Sequence, residues 1–526
     1  MATSHSHATS ILIDQARAEM RKSDPADSRG WERIYRRALG AAYEERRVDE
    51  IAELALITAV SHESRGANLE GLAQFQFALD MSGGSPNATV HLLAAKAQML
   101  ALGGDVDGAA EALDAAAESL TPDTATHTLL EYRTYRSVVS CIVLSDEETG
   151  TIVAPIPAAE SAELEWLSSG LKSWLVPWMR ARGMSAAAAP WIDSLEQQAR
   201  ASDHQWRIRD AQSFRYMAEA ARAPQPEPAR EDASLNRNAS WRRTIASLHW
   251  AVIRRDAATT ARLLERLGKL RLRMSPGFQS QVEAFAMLDS ALGQTGESLS
   301  LRPPGVVTLL NLPAVLAGAE AIAYGGSQSK AAEWARWLDS ELPTGVVSSL
   351  EWPVSVERLR GLLTLATGDA AGAIRSLRRA VRWAQKVSFA PEEGLARVQL
   401  ADVLALASNR TPEHEWREQR LTGRRILAAF DVDPVPHAYA ATRALAHGRT
   451  AAAKPRLTRR EVEVLQGLAD GLSYRQVAAR LGVQWRTVQT HTHHCYEKLG
   501  ESGKIRAVRA AEAQGILTRP PDRPAD

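Results

Sequence analysis

The chain reads as all-α, in two parts: a long run of helical hairpins, then a small four-helix domain. Three observations lead there. Ala, Leu, Arg and Glu dominate the first 447 residues, and Val/Ile/Thr alternation of the strand kind is scarce. Two distant segments, Ala101–Ala117 (ALGGDVDGAAEALDAAA) and Leu365–Val381 (LATGDAAGAIRSLRRAV), align without a gap. Leu457–Leu517 places two helix starts, a tight turn and a long helix in close succession.

At 526 residues the chain is too long for one compact core, so several domains or a repeat array are expected. Hydrophobic content of 45% and charged content of 24% are those of an ordinary soluble protein. Cys141 and Cys495 are the only cysteines, which excludes a disulfide framework and fits a cytoplasmic location. The opening MATSHSHATS has no basic stretch followed by an apolar run, so no signal peptide is expected; residues 1–10 read as a disordered start. No run nears the roughly 18 apolar residues of a membrane span, so no membrane partner is expected.

Residues 11–447 read as the hairpin region. In the two aligned segments Gly104-Asp105 meets Gly368-Asp369, Gly108 meets Gly372, Ala109 meets Ala373, Leu113 meets Leu377 and Ala116 meets Ala380. One helix ends at Gly, Asp caps the next, small residues let the two helices close up, and Leu fills the gap. Weaker copies start at Arg255-Asp256 and at Gly326. Ala373, Leu377 and Ala380 have the spacing of the second helix of a tetratricopeptide repeat. The region resembles a degenerate form of it, with most first-helix aromatics missing. The resemblance implies a stacked solenoid, whose concave side either takes a peptide, protein or small effector or belongs to a scaffold or dimer spacer with no ligand. Glu148–Ala159 (ETGTIVAPIPAA) reads as a loop, and Ala223–Ala239, rich in Pro, Glu, Arg and Asn, as a disordered break. Pro303-Pro304-Gly305 and Pro343-Thr344-Gly345 mark turns, and 448–456 reads as a linker. Of the 14 Trp, Trp166, Trp174, Trp178, Trp334 and Trp337 recur near helical spacing and read as core.

In the last part, over 457–517, Thr458 and Glu461 have the spacing of a capping box, and Val462, Leu465, Leu468 and Ala469 form an apolar face. Gly471 suits the left-handed end of that helix. Ser473 with Gln476 starts a second helix whose inner face is Val477, Ala478 and Leu481; Gly482-Val483 turns. A third helix, Gln484–Leu499, points Val488, Thr492, Cys495 and Leu499 inward, and Gly500 ends it. A fourth, Lys504–Gln514, carries Ile505, Val508 and Ala511; Gly515 ends it, Ile516-Leu517 fold back, and 518–526 reads as a disordered tail. A helix laid in the major groove shows the face opposite its core. On the third helix that face carries Arg486, Gln489, Thr490, His493 and Glu497. Gln489, Thr490 and His493 are the candidate base readers. Arg475, Arg486, Lys498 and Lys504, with Ser473 and Thr487, suit phosphate contacts. The segment from Lys454 on holds 13 Lys and Arg against 8 Asp and Glu, net +5, while the preceding residues are net −4. Such a local cationic excess is a nucleic-acid footprint. His491 and Cys495, four apart, could face one metal ion, but no second ligand pair lies at a zinc-like spacing, so no metal or other cofactor is expected.

This segment resembles the LuxR-type (GerE-type) helix-turn-helix of bacterial transcription regulators. The matches are Leu457-Thr458, Arg460-Glu461, Glu463-Val464-Leu465, Gly471-Leu472-Ser473, Val477-Ala478, Leu481-Gly482-Val483, Thr487-Val488, His491 and Lys498-Leu499-Gly500. It departs from the family where Gln489 replaces the common Lys, and where Gln484-Trp485 replace a Ser or Thr. The resemblance implies double-stranded promoter DNA as partner, bound as a homodimer through the fourth helix (Ile505, Val508, Arg509, Glu512), with RNA polymerase as a further partner. The whole looks like the C-terminal half of the maltose-regulator-like ATP-dependent members of that family. The nearest run to a phosphate-cradling loop, Gly325-Gly326-Ser327-Gln328-Ser329-Lys330, lacks its Gly-Lys pair. Nothing suggests a receiver domain or an enzyme. The expectation is a transcription regulator; a helical adaptor that uses its last domain for protein contacts is the alternative.

Overall fold

The repeated Gly-Asp pair marks a turn geometry more than a residue preference. The computed structural model describes residues 2–22, 32–48, 50–55, 68–81, 85–225, 237–271, 276–293, 301–407, 413–434, 457–499, 504–513 and 516–517. They fall into two units, Met1–Leu445 and Ala446–Asp526. Among the described residues the regular elements are helices, with no strand, and no helix is long and apolar enough to cross a membrane.

In the first unit, helix Pro86–Gly103 stops at Gly104 in the left-handed region (φ 87°). Asp105 then accepts the Gly108 N–H at 2.9 Å and starts helix Val106–Glu118. Helix Val356–Ala366 leads to Gly368 (φ 95°), and Asp369 accepts the Gly372 N–H at 2.8 Å to start helix Ala370–Lys386. The two aspartates share one backbone conformation, φ −86° and ψ 82° against φ −84° and ψ 82°. Ala109, Ala116, Ala373, Leu377 and Ala380 are fully buried, as close helix packing needs.

In both turns the residue after the left-handed one donates its N–H to the carbonyl five residues back, Asp105 to Leu100 and Asp369 to Thr364. This is the Schellman closure, which satisfies a carbonyl left over at the helix end. It recurs without glycine at Arg46, Leu144, Glu163, Asp203, Arg255, Ser388 and Asp431. The weak copy at Arg255-Asp256 is thus the same turn, with Asp256 accepting the Thr259 N–H at 3.0 Å. The one at Gly326 is different: its φ is −75°, and Ser327 caps by accepting the Lys330 N–H. A side chain in the left-handed region costs about 1–2 kcal/mol. Ser388→Gly, at an exposed position, should therefore raise unfolding free energy by about 0.5–1 kcal/mol, and Gly368→Ala should lower it by about 1 kcal/mol. Urea denaturation followed by tryptophan fluorescence measures both.

Each helix packs on its sequence neighbours, as stacked hairpins do. The array also closes on itself. Helix Ala2–Lys22 meets helix Gln205–Ala220. Trp250 and Ile253, late in helix Arg237–Arg254, pack with Leu395, Leu427 and Val432. Arg254 donates Nε and Nη2 to the Phe430 carbonyl at 2.9 and 2.8 Å. Trp178, Trp334 and Trp337 are buried, and the last two donate to the carbonyls of Leu301 and Pro304. Trp166 and Trp174 are half-buried against the same apolar layers. Both Pro-Gly segments are non-helical, as their sequence predicts.

One polar cluster lies inside these layers. Arg358 is 1% exposed. Its Nε donates to Glu392 at 2.7 Å, Nη2 to Glu320 at 2.6 Å and Nη1 to the Tyr324 hydroxyl at 3.0 Å. Gln399 donates to the same hydroxyl, and the Ser355 N–H to Glu392. Burial works against the Arg358 charge, but Glu320 and Glu392 more than hold it. Burial pushes Glu392 up from the usual carboxyl range, since two carboxylates share one guanidinium. Beside them His249 is neutral, its pKa lowered by burial to about 4.

Three expectations are corrected. Residues 2–10 belong to helix Ala2–Lys22, because Thr9, Ile13 and Ala16 form a buried face at helical spacing. The 148–159 segment is not a loop but the short helices Thr149–Val153 and Pro155–Ser161. Pro155 opens the second, where its missing N–H costs nothing, and Ile152, Ile156 and Ala159 are buried. Helix Arg237–Arg254 starts inside the 223–239 break, with Ala239 fully buried; 226–236 lie outside the described residues. So do the 448–456 linker and the 518–526 tail.

Candidate nucleic-acid interface

The second unit is built by its caps. Thr458 accepts the Glu461 N–H, and Glu461 Oε2 accepts the Thr458 N–H at 2.7 Å, opening helix Arg459–Ala469. Ser473 and Gln476 do the same for helix Tyr474–Leu481. Gly471 and Gly482 adopt left-handed φ values of 83° and 65°. Gly467 sits mid-helix because a Cβ there would come 3.0 Å from Val477, across the closest approach of the first two helices. Arg460 donates to the Leu481 carbonyl at 2.6 Å and to Glu463, holding the Glu463 carboxyl below its usual range.

Helix Trp485–Leu499 is the third, and it is two-faced. Val488, Thr492 and Cys495 are buried among Val464, Leu465, Leu468 and Val477. Arg486, Thr487, Gln489, Thr490 and His493 are exposed. The sequence-derived base readers thus share the outward face of the helix that the core holds from behind. The Thr490 hydroxyl donates to the Arg486 carbonyl at 3.1 Å. Arg475 and Lys504 are exposed, and Ser473 is exposed with its hydroxyl engaged in the cap. Tyr474, at the first turn of the second helix, lies near Tyr496 of the third. Burial first, and then the neighbouring Tyr474, push the Tyr496 hydroxyl up.

The fourth helix, Lys504–Ala513, differs in detail from its expected inner face. Ala507 and Ala511 are fully buried, while Val508 is half-buried against the core and Glu512 is half-buried. Leu517 is buried, so the fold-back occurs. The side chains of Glu497, Lys498, Leu499, Ile505 and Arg509 lie outside the described residues, as do Gly500 and Gly515. The sequence reading missed Val464 and Ala507 as core. It also passed over the exposure of two aromatics at helix starts, Trp485 (45%) and Tyr474 (36%).

The His491–Cys495 pairing does not form. Cys495 is buried, and its Sγ donates to the Glu461 carbonyl at 3.5 Å. His491 and His494 instead gather near Glu461, one potential ligand atom from each lying within 4.8 Å of the others. Metal bonds to such atoms are about 2.0–2.2 Å, so the three would have to draw together around an ion.

A cap-to-cap trihelical core with an exposed third-helix face defines a helix-turn-helix domain. Residues 455–511 match the family of bacterial regulatory proteins, luxR family. The C-terminal unit is thus a luxR-family helix-turn-helix domain. Over 62 residues it is 44% identical to the transcriptional regulatory protein YdfI of Bacillus subtilis, covering 12% of this chain and 29% of that one. It is 45% identical over 69 residues to the probable transcriptional regulatory protein NarL of Mycobacterium tuberculosis, covering 13% and 32%. With the transcriptional regulatory protein UhpA of Escherichia coli it shares 40% over 53 residues, 10% and 27%. The matches span a third or less of these relatives. No solved structure matches the chain.

Proposed function

We propose that the chain is a bacterial transcription regulator. It binds promoter DNA as a homodimer through its C-terminal domain, engages RNA polymerase, and takes its control from the N-terminal unit. It acts in the cytoplasm, by binding and not by catalysis. The observation that carries this reading is the third helix. Its inner face is sealed in the core, while Gln489, Thr490 and His493 stand exposed on the other side, in a segment of net charge +5. Gln can pair with an adenine edge, and cationic neighbours fix the register on phosphates.

In a gel shift, the full-length chain should bind fragments with inverted half-sites more tightly than single ones. Its log affinity should fall linearly with log salt, because phosphate contacts release counterions. Salt-independent binding, or none to any genomic fragment, would reject the reading. Control by the first unit has its own test, reporter output at matched protein levels. The full chain, the Lys454–Asp526 fragment and Ala380→Trp, which overfills a fully buried helix contact, should differ several-fold in output. Identical output would reduce the first unit to a scaffold.

A further inference from the structure

A half-open cleft in the first unit brings together two guanidinium groups. Arg180 reaches it from the last turn of helix Glu165–Ala181, and Arg222 from just beyond helix Gln205–Ala220. Among the described residues neither makes a side-chain ion pair. Glu351 is buried behind the lining residue Ser349, whose hydroxyl donates to it, and its charge acts on both Arg180 and Arg242 without pairing with Arg180. Like charges converging in a partly desolvated place are unfavourable unless something negative arrives. Burial, and next to it Arg222, lower the Arg180 pKa to about 10.

The other lining groups are donors. Ser185 is the first residue of helix Ser185–Ala201, whose N-cap, Met184, provides no side-chain acceptor, so the first-turn N–H groups lack a side-chain cap. Ser348 lines the cleft too, its hydroxyl donating to the Ser349 carbonyl at 3.5 Å. Trp383 lines it as well, with its indole Nε1 buried beside Gly183. Phe389 forms an apolar wall. The cleft is a shallow recess open to solvent, with room inside for little more than a water-sized group, so the bound part would be a compact head seated at the mouth. Two guanidinium groups without an ion pair beside an uncapped helix start are complemented by an oxyanion.

We infer that this cleft binds the anionic head, carboxylate or phosphoryl, of a small molecule that acts as the effector of the N-terminal unit. The effector role rests on the regulator reading above; the binding itself does not.

The test uses the full-length chain, with thermal unfolding at matched ionic strength in inorganic phosphate, succinate or chloride. Phosphate, succinate or both should raise Tm saturably by roughly 2 °C or more over chloride, and which of them does so identifies the head group. Arg222→Gln should abolish the rise. Arg222 is exposed at the cleft mouth and repels Arg180, so this variant should keep or slightly raise the chloride Tm. Arg180→Gln should abolish the rise as well. Absence of a saturable rise overturns the site, and so does an equal rise in either variant, which would mark a diffuse surface effect. DNA affinity is then measured with and without the active anion. A rise lost in Arg222→Gln together with altered DNA affinity supports the whole inference. The same rise with unaltered DNA affinity and reporter output overturns the effector role. If the chain never binds DNA, the regulator reading fails while the anion site stands.

Discussion

Arg358→Leu should destabilise the N-terminal unit by about 3–5 kcal/mol, because it strands Glu320 and Glu392 in the interior without their counter-charge. Thirteen of the 14 Trp lie before residue 445, so intrinsic fluorescence in urea reports this unit. The loss should also depend on pH. Burial raises the Glu392 pKa, so the folded chain holds that proton more tightly than the unfolded one. Stability tied to such a group is complete below the ordinary Glu range and falls as pH rises through the raised value. Removing Arg358, which holds Glu392 down, raises that carboxyl further, so the deficit should be smaller near pH 5 than near pH 8. Arg358→Lys should fall between, since an ammonium cannot replace a fork that serves Glu392, Glu320 and Tyr324 at once. A deficit under 1 kcal/mol at neutral pH, or one that grows on acidification, would show that the carboxyls relax without the arginine.

The second large effect is expected on DNA. Gln489→Ala and His493→Ala should each cost about 1–3 kcal/mol at particular base pairs, a loss of about 5- to 150-fold there, while leaving other sequences nearly unaffected. Arg475→Ala and Arg486→Ala should weaken binding to all sequences alike and reduce the slope of log affinity against log salt. Both classes are exposed, so neither should move Tm by more than a degree or so. Selection from a random DNA pool separates them. Unchanged preferences for Gln489→Ala and His493→Ala would mean the outward face has been assigned wrongly.

The first two helices of the C-terminal unit were legible almost to the residue because their starts and stops are encoded locally. Thr458 with Glu461 and Ser473 with Gln476 write the helix starts, and Gly471 and Gly482 write the stops. What the pattern concealed was small: Val464 and Ala507 take core places that periodicity alone gave to neighbours. Among the described residues of the N-terminal unit, a left-handed glycine announces this helix-end turn at Gly104, Gly183 and Gly368. Ser388, Asp203 and Leu144 adopt the same backbone with side chains that nothing in the sequence flags, held there by helices packed on both sides. Hence two strong copies and the weak one at Arg255-Asp256 were visible, and other hairpins were not. Pro155 misled in the opposite sense, reading as a breaker where it opens a helix. The Arg180–Arg222 cleft was invisible, since its residues are scattered from 180 to 389.

The bond from Arg254 to the Phe430 carbonyl spans 176 residues, and helix Ala2–Lys22 rests on helix Gln205–Ala220. An open row of repeats frays from its ends, and its stability is a sum over neighbours. A row tied across its own length loses that freedom: its ends cannot melt without exposing its middle. The unit should then unfold in one transition, with a urea dependence set by the surface of the whole and not of a few hairpins. Any ligand it holds should raise that single transition everywhere at once, so that occupancy at one place becomes rigidity throughout.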